Sequence, residues 1–196
     1  MRARVAVLVS GGGTNLQALI DAAASGILHS GEIVLVVSSR PDAYALTRAK
    51  NAGIEALTVT RADGEAALLE ALKSHGIDLI VLAGYLTILG SDLVRQYENR
   101  IVNVHPSLIP AFSGKGFYGL KPHEEALRRG VKITGATVHI VNEIPDGGKI
   151  LAQKAVDVLP DDTPEILQRR VMVEAEWVLL PRAVEALCAG IIKEKL

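Results

Sequence analysis

A single cysteine, Cys188, in a chain of 196 residues leaves no disulfide framework and no multi-cysteine metal cluster. Aromatic residues are scarce, with one Trp, four Tyr and two Phe, which argues against a surface that stacks nucleobases. No sign of charge dominates. Lys and Arg number 21 against 22 Asp and Glu, so a broad basic footprint is excluded and no nucleic-acid partner is expected. No apolar run approaches the ~20 residues of a membrane span, so no membrane partner is expected either. The opening stretch MRARVAVLVSGGG has too short an apolar segment, and the wrong sequel, for a signal peptide. These absences point to a cytoplasmic protein. What is present is 49% hydrophobic and 22% charged residues, the balance of a foldable globular chain with one core.

The pattern along the chain is strand and helix in alternation. The continuous aliphatic run Val5 to Val9 reads as a strand buried on both faces, and Ile33 to Val37, Asp78 to Leu82 and Ile101 to Val104 read as further strands. Ala56 to Val59 adds a short one. Between them, Asn15 to Ala24, Asp42 to Ala52, Glu65 to His75 and Ser91 to Tyr97, the last capped by Ser91, read as helices. This predicts an α/β fold, a doubly wound, mostly parallel sheet with helices on both faces. The second half changes character. A Pro-, Gly- and Ser-rich loop over 105–120 precedes a helix of about Pro122 to Arg129. Lys132 to Val141 and Gly148 to Val158 then read as an antiparallel addition, with Asp146-Gly147 as the hairpin turn signal. Thr163-Pro164 opens a long closing helix towards Gly190 that Pro181 should kink or break. No linker or repeat interrupts the chain, so 1–196 is read as one domain, with halves of about 1–100 and 101–196.

Ser10-Gly11-Gly12-Gly13-Thr14-Asn15 joins the first strand to the first helix. Glycines let backbone approach a ligand closely, and a helix start offers unpaired N–H groups and positive potential to an anion, most often phosphate. The loop is not a Walker loop, since Leu16-Gln17 stands where Lys and Ser or Thr belong. Nor is it the dinucleotide fingerprint, whose third glycine is replaced by Leu16. The bland alternative is that any tight strand-to-helix turn favours glycine.

Asn103 and His105 lie two apart at the end of the fifth strand and share one face. Pro106 ends pairing there. A carboxamide and an imidazole at that edge can polarise a carbonyl and hold an oxyanion, or simply tie down the next loop. Asp146 is a turn former or, near His105, a carboxylate that raises the histidine pKa and takes part in proton transfer. His139, inside a strand, reads as a core histidine, and Glu174 and Glu176 as solvated helix surface. His123 lacks the second histidine of a zinc-protease motif, and Cys188 reads as a small hydrophobe.

Together these segments resemble the phosphoribosylglycinamide formyltransferase family. The resemblance rests on Val9 to Gln17, on Val81-Leu82-Ala83-Gly84-Tyr85-Leu86 and on Asn103-Val104-His105-Pro106-Ser107-Leu108. Gly135-Ala136-Thr137-Val138-His139 and Pro145-Asp146-Gly147-Gly148 complete it. The five motifs stand in the family's order from about residue 4 to Pro181. The resemblance implies a Rossmann-like formyltransferase fold, with formyl transfer from N10-formyltetrahydrofolate, as co-substrate, to the amine of glycinamide ribonucleotide in purine synthesis. It implies Asn103, His105 and Asp146 as the catalytic trio. Gly13, Thr14 and Asn15 would hold the ribonucleotide phosphate, and Glu176 its ribose. Leu86, Thr87, Ile88 and Leu89 would surround the folate, as would Asn142, Glu143, Ile144, Pro145 and Asp146, with Asn103 touching it too. No metal is implied, and a monomer or homodimer is expected.

The chain departs from the family where a folate-tail arginine is usual, Arg61 being only near that place. Thr87 stands where some members carry another arginine, and Trp177 replaces a frequent histidine. The chemistry expected is direct amine attack, with Asn103 and a protonated His105 holding the oxyanion and Asp146 keeping His105 charged while relaying the proton. The nearest rival is formyltetrahydrofolate deformylase, a hydrolase that should lack the glycine loop and carry an additional N-terminal domain. A methionyl-tRNA formyltransferase would need a basic RNA-binding domain. A non-catalytic nucleotide-binding module would leave Asn103, His105 and Asp146 without a task.

Overall fold

The computed structural model describes residues 1–195. Its strands are β1 (Ala3–Val9), β2 (Gly31–Ser38), β3 (Glu55–Thr58), β4 (Leu79–Leu82), β5 (Ile101–His105), β6 (Ile133–Ile140) and β7 (Ile150–Asp157). They form one sheet in the order β3-β2-β1-β4-β5-β6-β7. The first five pair in parallel, and β6 and β7 add antiparallel, as the sequence predicts. The helices are α1 (Thr14–Ala24), α2 (Tyr44–Asn51), α3 (Gly64–Ser74), α4 (Ser91–Gln96), α5 (Lys121–Arg129), α6 (Pro164–Val171) and α7 (Trp177–Lys195).

β1 shows why its sequence is continuously apolar. Val5, Val7 and Val9 pack with Leu16 and Leu19 of α1 and Leu180 and Val184 of α7. Ala6 and Leu8 point the other way, onto Leu68 and Leu72 of α3 and Leu93 of α4. Alternate residues thus feed two cores, and neither face can be polar. Each fully buried leucine contributes roughly 1.5–3 kcal/mol of transfer free energy. The strand is thereby fixed, and the loop at its end with it.

Four local expectations need correction. α4 begins at Ser91, but no side chain caps it. Instead the Gly90 N–H, in the position before the helix, donates to the Glu65 carboxylate. Helix α2 starts at Tyr44 rather than Asp42, which lies before it and pairs with Arg40. Asp146-Gly147 does not close a tight hairpin, since residues 141–149 separate β6 from β7. Pro181 does not break α7, which runs unbroken through it and past Gly190 to Lys195. The irregularity lies upstream, in a π-helical turn over Met172–Glu176 that joins α6 to α7. A proline crowds the carbonyl four residues back, here Trp177, and removes its N–H partner. The wider π turn ends immediately before that carbonyl.

Candidate active site

From β1 the chain winds outwards to β2 and β3, then returns to β4 on the other side of β1. Such a reversal opens a crevice beyond the C-terminal ends of the two central strands. A cavity of about 450 Å³ lies there, and it brings Gly11 to Asn15 together with Asn103, His105, Asp146 and Glu176. Its residues come from both sides of residue 100.

The glycine loop is set by two different demands. Gly13 precedes α1 with φ +71°, and a Cβ there would lie 2.6 Å from the Ala45 methyl. Only glycine meets both conditions. Gly11 and Gly12 are under no such demand, because a Cβ on either would meet nothing within 4 Å. The loop carbonyls are engaged: Gly11 accepts from the Ala45 N–H, Gly12 from Arg48 Nε and Gly13 from the Gln17 N–H. The first-turn N–H groups of α1 have no intrahelical acceptor. Bare backbone, open space and helix-start donors therefore coincide.

Glu176 closes this end of the crevice. It is not the solvated helix residue that simple periodicity suggests but is 6% exposed, and it accepts a 2.6 Å hydrogen bond from Asn15 Nδ2. Burial with that one donor pushes its carboxyl up to about 7. The Asn15 side-chain oxygen Oδ1 is buried and has no partner among the described residues.

At the other end, Asn103 and His105 stand on β5 with Thr137 and His139 of β6 directly opposite in antiparallel register. His139, expected to be only a core histidine, is instead part of the site. Its Nε2 lies 3.1 Å from the Asn103 amide nitrogen and 3.5 Å from Asp146 Oδ1. Its Nδ1 donates to the Ile140 carbonyl at 2.9 Å. The Asn103 amide nitrogen carries two N–H bonds, so one is left for a ligand. Asp146 sits at φ +54° in a turn closed by the Gly147 N–H on the Ile144 carbonyl. Gly148 follows because a Cβ there would fall 1.7 Å from the Ile140 oxygen.

The charge state of His105 is the main correction. Its Nε2 lies 2.9 Å from the Phe112 carbonyl, which can only accept, so that nitrogen bears the proton. Its Nδ1 faces Asp146 Oδ2 at 3.6 Å, beyond hydrogen-bond range. Burial lowers the His105 pKa and outweighs both the Phe112 carbonyl and Asp146, which raise it. The ring is neutral at pH 7 rather than held charged. Burial also acts to raise the Asp146 pKa, but His139, His105 and the Gly114 N–H at 2.8 Å together hold it below its ordinary value. The carboxylate is ionised beside a neutral imidazole. The Phe112 carbonyl and Gly114 N–H, both from the loop after β5, are contributions that no local sequence signal marks.

The two segments expected around folate meet in a cavity of about 160 Å³ that also includes Asn103, His139 and Asp146. Leu86, Ile88 and Ile144 are exposed apolar side chains there. Thr87, Leu89, Asn142, Glu143 and Pro145 line it too, with Glu143 also 3.3 Å from Arg95. Ser10 sets the approach of this segment, since its hydroxyl accepts from the Leu86 N–H and pairs with the Ser39 hydroxyl. Arg61 stands apart. It lines a separate space of about 180 Å³ beside Thr87 and Leu89.

The sequence profile of the formyl transferase family matches residues 3–184. The chain belongs to the formyltransferase family. Among proteins of this family, it is 40% identical to the chloroplastic phosphoribosylglycinamide formyltransferase of Arabidopsis thaliana, over 98% of this chain and 68% of that one. The crystal structure of glycinamide ribonucleotide transformylase 1 from Symbiobacterium toebii superposes with a TM-score of 0.89 at 42% identity. It covers 96% of this formyltransferase and 89% of the other chain. A formyltetrahydrofolate deformylase from Pseudomonas syringae shares the fold, with a TM-score of 0.87 at 29% identity. That match covers 97% of this chain but 62% of the deformylase.

Proposed function

We propose that this formyltransferase moves the formyl group of N10-formyltetrahydrofolate to the amine of glycinamide ribonucleotide, a step of purine synthesis. The observation that carries the reading is the open space beside Gly11 and Gly12. Neither packing nor backbone conformation demands glycine there, whereas a phosphate resting on the start of α1 does. A hydrolase that used only water would have no need of it.

In this reading Gly13, Thr14 and Asn15 hold the phosphate, and Glu176 with Asn15 Oδ1 meets the ribose hydroxyls. The apolar surface of Leu86, Ile88 and Ile144 takes the pterin, and Arg61 approaches the acidic folate tail. An α-amine of pKa about 8 is roughly one-tenth neutral at pH 7, and that fraction attacks the formyl carbon. Holding the two together removes up to ~7–11 kcal/mol of entropic barrier. The C–O π pair moves to oxygen, where the free Asn103 N–H stabilises it, a role worth ~2.7–4 kcal/mol in other oxyanion sites.

Neutral His105 takes the ammonium proton at Nδ1, and ionised Asp146 stabilises the imidazolium that then forms. The proton passes to the folate nitrogen as the C–N bond breaks and its electron pair returns there. The amine has gained formyl and the folate nitrogen a proton, so the exchange balances. The same acid–base pair serves a deformylase, in which water replaces the amine.

The test is the loss of 10-formyltetrahydrofolate with and without glycinamide ribonucleotide. Loss that requires the ribonucleotide and yields its formylated form is expected. Loss without it, with release of formate, would mean hydrolysis.

A further inference from the structure

A second cavity, of about 550 Å³, opens between α1, α6 and α7, apart from the catalytic groups but sharing Thr14 with the crevice. Its volume lies in the range of small-molecule sites. Ala18, Val178 and Pro181 give it an apolar lining, and Trp177, the chain's one tryptophan, adds an aromatic one. Arg48, Arg169 and Arg182 line it against a single carboxylate, Asp21. Asp21 already accepts from Gln17 Nε2 at 2.9 Å. The Arg169 guanidinium lies 5.4 Å over the indole ring, so one face of Trp177 is already covered by a cation. The Trp177 indole N–H is shielded from water and lacks an acceptor among the described residues.

These features narrow the occupant. A metal ion would meet net positive charge, a neutral apolar molecule would leave the guanidiniums unanswered, and free phosphate would leave the apolar lining unused. We propose that this cavity binds a small planar aromatic anion of the nucleoside monophosphate class. The ring packs on the Val178 and Pro181 lining beside Trp177, and the phosphate is held by Arg182 and Arg48.

Occupancy is felt in the crevice through Arg48. Its Nη1 donates to Gln17 in the cavity at 3.0 Å, and its Nε donates to the Gly12 carbonyl of the glycine loop at 2.8 Å. An anion drawn to Arg48 competes with that hold on the loop. The binding stands independently of the proposed formyl transfer, and only the coupling to the loop rests on it.

Trp177 supplies the readout. AMP is titrated against its fluorescence with glycinamide ribonucleotide at saturation, and adenosine and inorganic phosphate are titrated separately. Saturable quenching by AMP is expected, with each half alone at least about tenfold weaker. Arg182→Glu should weaken AMP by about tenfold and leave formyl transfer in its absence unchanged. AMP should also shift the KM for the ribonucleotide at least about twofold. Absence of saturable quenching in the millimolar range would overturn the proposal, as would quenching indifferent to Arg182→Glu. Displacement of AMP by the ribonucleotide would overturn it too, by placing AMP on the glycine loop.

Discussion

The two ends of the crevice each bury a carboxylate, and the surroundings push them in opposite directions. Asp146 has His139, the Gly114 N–H and His105 around it, and these hold it ionised against burial. Glu176 is more deeply buried with Asn15 as its one donor, and burial wins. Depth of burial and the neighbours that favour the charged form together decide the sign. Two carboxylates driven apart in this way suit different tasks in one site. An ionised Asp146 stabilises a charge that forms during reaction, while a Glu176 near half-protonation at pH 7 can both donate to and accept from hydroxyls.

The largest effect is expected from removing the charge at the proton-transfer end. Asp146→Asn keeps the shape and, because asparagine tolerates positive φ, the turn. Turnover should fall about a thousandfold, within the range of general acid–base contributions, with KM for both substrates little changed. Steady-state kinetics decide this, and unchanged turnover would remove the proton-transfer role. At the other end Glu176→Gln should act on stability. The folded carboxyl near 7 lies above its ordinary 4.5, so the folded state binds more protons between those values. Stability from this group is then complete below pH 4.5 and lost as pH rises to 7, by up to ~3 kcal/mol. Asp146 works the other way, stabilising above its unfolded value near 3.9 and losing that as pH falls. Urea unfolding should therefore find Glu176→Gln more stable than the parent at pH 8 and no more stable at pH 4. A constant difference across pH would show that Glu176 is not shifted.

His139→Gln sharpens the comparison by removing the imidazole beside the first carboxylate and leaving the second untouched. Turnover should fall roughly thirtyfold through a displaced Asn103 and Asp146. The acid limb of the kcat profile should move to higher pH, since His139 lowers the pKa of both Asp146 and His105. A loss of activity without that movement would make His139 merely structural.

The ends also differ in how far the sequence reveals them. The glycine loop is contiguous, a strand, turn and helix start within one stretch, and its chemistry follows from local rules. Asn103 and His105 are equally legible, two apart on one strand. His139 is not, because facing Asn103 depends on the β5–β6 register, and a one-residue slip would turn it to the other face. Glu176 is hidden for a related reason. Helical periodicity fails across a π turn, which rotates every later residue relative to the core. The charge on His105 is less legible still, because it turns on burial and on a 3.6 Å gap. The mostly parallel sheet with its antiparallel addition is legible because apolar strands alternate with helices and then follow one another directly, whereas its strand order is not, and the loop that supplies Phe112 and Gly114 carries no periodic signal at all.

The smallest effect separates ligand space from folding demand within the glycine loop itself. Gly11→Ala adds a methyl group to open space, at a residue outside the left-handed region. Stability should change by no more than ~0.5 kcal/mol, or rise slightly through a less flexible unfolded chain. KM for glycinamide ribonucleotide should nevertheless rise about tenfold, because the methyl occupies the approach to the helix start, while turnover at saturation is kept. Gly13→Ala provides the contrast, since its methyl would collide with Ala45 and its φ is strained, so there stability itself should fall. Equal KM in Gly11→Ala and the parent would mean that the phosphate does not rest on this loop. Destabilisation by Gly11→Ala as large as that by Gly13→Ala would return the triple glycine to a purely structural role.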